Sequence, residues 1–357
     1  MSAPQVVVVV GASSGIGRAT ARAFAEDGCD VVLAARSTGS LAEAAEECRA
    51  AGGRAVAVTA DITRDEDVEA VLTGAIDAFG HVDVWVNAAA VMVYGRFDEV
   101  PVEVHRRVVD TNLTGAISCA RTAMGHFKFR GRGVLITVGS LYGRMTSPYV
   151  SAYVTSKFGL IGFNEVLRQE LAQYPHIATC LVLPGSVDTP IFRHAANFTG
   201  RGVQPVPPVN DPRRVVRAIV RCASRPRRQV VVGQVARLMA WSHALFPLVY
   251  DRLAPAAMDV AGLVGDGVAD TYGNVFEPMP QWNRVEGEWP RIPRSWSAAL
   301  AGGGLTAAAA LGLLRRRGGA RWMLRADRRV LPSPIGLRSR AQFAPTPDPS
   351  KPKGPAA

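Results

Sequence analysis

The sequence predicts an α/β fold, a doubly wound parallel sheet of about seven strands followed by an irregular C-terminal extension. Three observations carry that prediction. Short apolar runs recur through the first two thirds of the chain, the mark of strands buried on both faces. Helical segments alternate with these runs, so successive strands are joined by crossovers and pair in parallel. The first run ends in a glycine-rich turn that opens a helix.

The elements follow in order. Val6 to Val10 is the first strand, and Gly11-Ala12-Ser13-Ser14-Gly15-Ile16-Gly17 is the turn. Arg18 to Asp27 is an Ala-rich helix stopped by Gly28. The glycines let the backbone approach a pyrophosphate, and the helix N-terminus offers free N–H groups and a positive dipole. This strand, turn and helix therefore read as a dinucleotide cradle. Further strands are expected at 30–34, 55–59, 82–86, 133–138, 177–183 and 229–233. Pro212 to Ala223 reads as a helix with Val215, Val216, Ile219 and Val220 on its apolar face. Residues 191–210 lack periodicity but carry Phe192, Phe198, Val203 and Val206. Such a stretch is either a lid or a surface loop. Between Val235 and Leu253, the residues Leu238, Met239, Trp241, Leu245, Phe246, Leu248, Val249 and Tyr250 have helical spacing and predict a packed helix closing the substrate pocket, with a membrane-dipping or dimer surface as the alternative. Beyond Pro255 the chain reads as irregular, with Trp282, Trp289 and Trp296 exposed. The expected divisions are 1–255, an irregular extension at 256–296, an uncharged segment at 297–314 and a basic, Pro-rich tail at 315–357.

Chemistry concentrates in Tyr153-Val154-Thr155-Ser156-Lys157. A Tyr and a Lys four apart share one helical face. An ammonium there favours the phenolate and is expected to draw the Tyr pKa down from ~10. A Tyr so tuned can move a proton at a carbonyl or hydroxyl oxygen. Ser140 stands thirteen residues earlier, just after the run 133–138, and ligands gather at the carboxyl ends of such strands. Asn112 lies inside a helical stretch, where Asn signals a local hydrogen bond or a bend.

With these residues in place, the first 190 or so resemble the short-chain dehydrogenase/reductase family in its common NAD(P)-binding form, a Rossmann-type fold. The spacing Gly11-x3-Gly15-x-Gly17 is similar to that family and differs from the G-x-G-x-x-G of longer dehydrogenases. The resemblance implies that Tyr153 is the general acid/base and that Lys157 tunes it and holds the nicotinamide ribose. It implies that Ser140 orients the substrate oxygen and that Asn112 holds a water in a relay to Lys157. It places Asp61 at the adenine and Asn87, in Asn87-Ala88-Ala89-Ala90, after the fourth strand, where the family usually has a Gly. Pro184-Gly185-Ser186-Val187-Asp188-Thr189 is similar to the family's loop over the nicotinamide, with Val187 and Thr189 in contact. With the cradle residues Gly11, Ser13, Ser14, Gly15, Ile16 and Gly17, these complete the expected cofactor site. The second strand ends in Ala35-Arg36 with no acid to bind a ribose 2′-hydroxyl, and a guanidinium suits a phosphate. NADP(H) is therefore expected over NAD(H).

Composition narrows the rest. The chain has 357 residues and five cysteines, Cys29, Cys48, Cys119, Cys180 and Cys222, with no C-x-x-C. They read as buried thiols of a reducing compartment, without disulfides, zinc or any other metal. The first strand starts within a few residues of Met1, so no signal peptide is expected and a cytoplasmic site is. The net charge is +11, but residues 315–340 hold nine Arg and one Asp, so the body is nearly neutral. No nucleic-acid module accompanies that tail. Residues 297–314 carry no charge and precede Arg315-Arg316-Arg317. They read either as an Ala/Gly linker or as a short membrane anchor, with 297–340 touching anionic lipid. The expected function is an NADP(H)-dependent oxidoreductase interconverting an alcohol and a carbonyl on a lipophilic small molecule. The alternative is a non-catalytic cofactor-binding scaffold or redox sensor, against which the complete Ser–Tyr–Lys–Asn set argues. Homo-oligomers are implied by the resemblance alone.

Overall fold

The structure is a computed structural model that describes residues 4–233, 241–279 and 281–290. Seven parallel strands form the central sheet. In chain order they are β1 (Val6–Val10), β2 (Asp30–Ala35), β3 (Ala55–Thr59), β4 (Val84–Asn87), β6 (Gly133–Val138), β7 (Ile177–Pro184) and β10 (Gln229–Val232). Their spatial order is β10-β7-β6-β4-β1-β2-β3. The order reverses between β1 and β4, and at such a switch point the carboxyl ends of the strands part to leave a crevice.

Alternation along β1 explains why the run is all valine. Val7 and Val9 pack on one face against α1 (Gly15–Glu26), α2 (Thr38–Ala50) and α7 (Pro212–Ser224), through Phe24, Leu41, Val215 and Ile219. Val8 and Val10 pack on the other, against α3 (Asp65–Phe79) and α5 (Gly115–Arg130), through Val68, Val71, Cys119 and Phe127. Each fully buried Val contributes about 1.5 kcal/mol or more relative to exposure, so a polar substitution on either face is costly. Helix α7 starts where Asp211 accepts from the Arg213 amide at 2.8 Å, with Pro212 in the first turn. Two other helices complete the body, α4 (Val102–Val109) and α6 (Ser151–Glu170).

Small pairings organise what the sequence left irregular. β5 (Val93–Tyr94) pairs with β8 (Ala196–Asn197), and β9 (Gly202–Val203) with β11 (Leu263–Val264). Residues 191–210 are thereby held over the carboxyl edge of the sheet. The chain does not turn irregular at Pro255, because α8 (Pro247–Ala261) runs through it. The apolar residues expected to pack there do not: Trp241, Leu245, Phe246, Leu248, Val249 and Leu253 are exposed. Met258 is buried and Tyr250 donates to the Thr146 carbonyl at 2.6 Å. Phe246, Val249 and Leu253 face an apolar recess shared with Tyr142, Met145 and Val206, which covers them only in part. Trp282 and Trp289 are half-buried rather than exposed, for the reason given below. All five cysteines are buried with free thiols, and those of Cys180 and Cys222, distant in sequence, lie 2.7 Å apart. Among the described residues no helix is long and apolar enough to cross a membrane. The segments 234–240 and 291–357, with Trp296, the uncharged stretch and the basic tail, lie outside the described residues.

Candidate active site and cofactor cleft

A cleft of about 900 Å³ opens at the switch point and brings most of the expected residues together. Gly11, Ser13, Ser14, Gly15, Ile16, Gly17, Arg36, Asp61, Ser140, Tyr153, Lys157, Pro184, Gly185, Val187 and Thr189 all line it. Two glycines are dictated by space. Gly11 has φ +82°, and a Cβ there would sit 2.6 Å from the Ala89 amide nitrogen. A Cβ on Gly17 would meet the Gly11 carbonyl oxygen at 2.1 Å. The Ala-containing tetrapeptide after β4 thus packs directly on the turn, with no Gly needed in it. Asn87 and Asn112 sit behind the cleft wall. The Asn87 amide donates to the Ala116 carbonyl at 3.0 Å, while its oxygen is buried with no partner among the described residues.

Helix α6 carries Tyr153 and Lys157 in its first two turns, on the face that also buries Ala152, Ser156 and Leu160. Tyr149, at φ +68°, holds a left-handed conformation at the entry to that helix, a strain of the kind that gathers at functional sites. The Ser140 hydroxyl accepts from the Tyr142 amide at 3.2 Å and is hydrogen-bonded with Tyr153. The Lys157 ammonium donates to the Val138 carbonyl at 3.3 Å and lies 5.4 Å from the centre of the Tyr153 ring. The expected lowering of the Tyr pKa is corrected here. Burial raises Tyr153 to about 12, with the Ser140 hydrogen bond pulling the other way, and burial lowers Lys157 to about 8. Desolvation disfavours the charged form of each.

Asn112 lies in a π-turn at Asp110–Thr114 between α4 and α5, a geometry frequent at functional sites. Its oxygen accepts from the Val91 amide at 2.8 Å, and its nitrogen donates to the Val91 carbonyl at 2.8 Å and to the Ser156 hydroxyl at 3.3 Å. The side chain is spent on holding Val91 against α6.

The adenosine end differs from expectation. The Arg36 guanidinium donates to the carbonyls of Asn274, Val275 and Phe276, at 2.5, 3.2 and 2.9 Å. Burial lowers its pKa. Burial also acts to raise the Asp61 carboxyl, but hydrogen bonds from Thr63 and Arg107 prevail and lower it. At the other end, the Gly185 amide donates to Val232, and Asp188 accepts from the amides of Gly287 and Trp289 at 3.0 and 2.9 Å. The Gly15 amide, at the start of α1, donates to the Arg284 carbonyl at 2.9 Å.

Phe192 and Val206, expected in the lid-or-loop stretch 191–210, line the cleft, and with Met92, Tyr94, Tyr142 and Met145, which sequence reasoning missed, they form an apolar wall beside Tyr153; Tyr142 meets the Tyr153 ring edge-on at 6.2 Å. Proximity to Ser140 was the one signal for Tyr142. Asn274, Pro278, Met279 and Asn283 close the outer side, and no pattern flagged them. Among the described residues no cluster of metal-binding side chains occurs.

The residues fit a dinucleotide. The glycine turn leaves room where a Cβ would intrude, and the cleft runs from that turn to Tyr153. Comparison with known proteins agrees. A family model described as short chain dehydrogenase matches residues 5–199. An uncharacterized oxidoreductase of Bacillus subtilis, YxnA, is 40% identical over 259 residues, 71% of this chain and 72% of that one. The 3beta-hydroxysteroid dehydrogenase 1 of Eggerthella lenta is 38% identical over 189 residues, 52% of this chain and 72% of its own. The structure of an alcohol dehydrogenase from the archaeon Thermococcus sibiricus, complexed with 5-hydroxy-NADP, aligns with TM-score 0.55 and 27% identity, covering 64% of this chain and 96% of that one.

Proposed function

This chain belongs to the short-chain dehydrogenase/reductase family and is an NAD(P)-dependent oxidoreductase; we propose that it uses NADP(H) to interconvert an alcohol and a carbonyl on a lipophilic small molecule. The observation that carries the reading is the convergence of Ser140, Tyr153 and Lys157 on the cleft that also holds the glycine turn. The dinucleotide, when bound, supplies or accepts the hydride. It would be held by the amides of the Gly11–Gly17 turn, by Lys157, and by the loop from Pro184 to Thr189.

The chain's own residues handle the proton. Ser140 donates to the substrate oxygen and fixes its place beside the Tyr153 hydroxyl. With its pKa raised, Tyr153 is protonated at neutral pH, the form that donates to a carbonyl oxygen as it gains charge. Lys157, lowered to about 8, gains and loses a proton near neutral pH and can restore the phenol. Asn112 acts by position, keeping α6 against Val91.

NADP(H) is supported by Arg36 at the cleft wall with no acid on the strand end, and by a solved relative that carries an NADP derivative. A lipophilic substrate is supported by the wall of Met92, Tyr142, Met145, Phe192 and Val206, and by a relative named as a hydroxysteroid dehydrogenase. The test is NADPH oxidation and NADP⁺ reduction across a panel of lipophilic carbonyls and alcohols, with NAD(H) in parallel. Turnover confined to NAD(H) would remove the cofactor assignment. Arg36→Asp is expected to weaken NADPH binding more than NADH binding, measured by fluorescence titration of both. Equal loss for both cofactors would sink the phosphate role.

A further inference from the structure

Residues 271–279 and 281–290 lie beyond the stretch that the family model matches, and they cross the mouth of the cleft. Over residues 274–283 the recurring fastening is a main-chain carbonyl of the strap meeting a side-chain donor of the body. Arg36 holds the carbonyls of 274, 275 and 276, and Arg107 reaches that of Val275 at 3.4 Å. Arg18, buried and paired with Glu43 and Glu47, holds the carbonyl of Asn283. His194 meets the carbonyl of Gln281 at 2.9 Å. The far end is fixed by Asp188, by the Trp289 indole donating to the Thr189 carbonyl at 3.1 Å, and by Arg193. The Arg193 guanidinium lies 4.1 and 4.5 Å from the ring centres of Trp282 and Trp289.

A second observation points inward. The side-chain oxygen of Asn274 is buried with no hydrogen-bond partner among the described residues, and Asn274 lines the cleft with Arg36 and Asp61. A buried acceptor left unpaired is costly and rare. Adenosine offers the matching donors, an exocyclic amino group and ribose hydroxyls.

We infer that this strap is the outer wall of the cofactor site, that the Asn274 side-chain oxygen accepts a hydrogen bond from the adenosine half, and that the dinucleotide enters and leaves by release of the strap. The inference rests on the reading of the cleft as a dinucleotide site. Release has a handle: the Arg284 carbonyl occupies the Gly15 amide, a position at a helix N-terminus that suits a phosphate oxygen. A pyrophosphate seated there would have to displace that carbonyl.

The experiment uses the full chain with NADPH and reduced nicotinamide mononucleotide, which lacks the adenosine. Asn274→Ala should weaken NADPH about five- to tenfold, the scale of one lost hydrogen bond, and leave the mononucleotide unchanged. Trp289→Ala, outside the cleft, should speed NADPH dissociation in stopped-flow displacement at least tenfold. A pair Ser40→Cys and Asn283→Cys replaces side chains whose polar atoms are 2.5 Å apart. Oxidised, the pair should slow dissociation at least tenfold, and a reductant should restore it, so a poorly folded Trp289 variant does not leave the test open. Unchanged dissociation in the oxidised pair, or equal loss of both ligands in Asn274→Ala, would overturn the strap. Failure of the wild-type chain to bind any dinucleotide would instead overturn the reading of the cleft.

Discussion

Burial drives the two central ionisable groups in opposite directions, and both effects can be measured. Tyr153→Phe removes one oxygen and keeps the ring, so folding and NADPH binding should persist while turnover falls at least ~10²-fold. Wild-type turnover in that variant would void the acid/base assignment. Lys157 has its pKa lowered from 10.5 to about 8. Between those values the unfolded chain keeps a proton that the folded chain has shed, so stability from this residue rises with pH across the window and is lost as pH falls through it. In the cofactor-free chain, Lys157→Met should therefore flatten the rise of the unfolding temperature between pH 8 and 10 and raise that temperature at pH 7.5. A parallel rise in both proteins would place the titration elsewhere. Tyr153 acts with the other sign: raised to about 12, it holds stability that is present below pH 10 and lost above.

The glycine turn and the strap show two ways an element can be specified. The turn is local chemistry. Its spacing names the structure because Gly11 needs a positive φ and Gly17 touches the Gly11 carbonyl. Gly17→Ala should force the turn open, lowering the unfolding temperature and weakening NADPH at least ~10-fold, the scale of about 1.4 kcal/mol. Near-wild-type binding with intact stability would mean that the turn relaxes freely. The strap is long-range chemistry. It has no period, and it is held largely by main-chain carbonyls and amides, which every residue but proline carries alike. Arg36 and Asp188 were visible in the sequence as single residues, but their partners lie about 240 and 100 positions away. Helix α8 is a third case: its apolar spacing promised packing, and the described residues leave that face exposed.

Across the whole molecule, the body and the strap belong to one compact unit. A chain ending at Arg294 should fold and bind NADPH as the full chain does. A chain ending at Gly267 should lose Val275, which is fully buried, and dissociate NADPH at least tenfold faster. Equilibrium titration and displacement kinetics on the two chains distinguish these outcomes. If the shorter chain matches the longer, residues beyond 267 lie outside the cofactor site.

The sequence by itself determined the sheet, the cradle and the residues around Tyr153. Buried parallel strands read as apolar runs, the turn demands glycine, and a four-residue offset places Tyr153 and Lys157 on one face of α6 whatever else the chain does. Only the tertiary structure decided the rest. The direction of the Tyr153 and Lys157 shifts depends on how much water the fold excludes, which no spacing records. The committed state of Asn112, the hold on Arg36 and the strap over the cleft depend on main-chain groups brought together from distant positions, and a backbone carbonyl has no signature in the sequence.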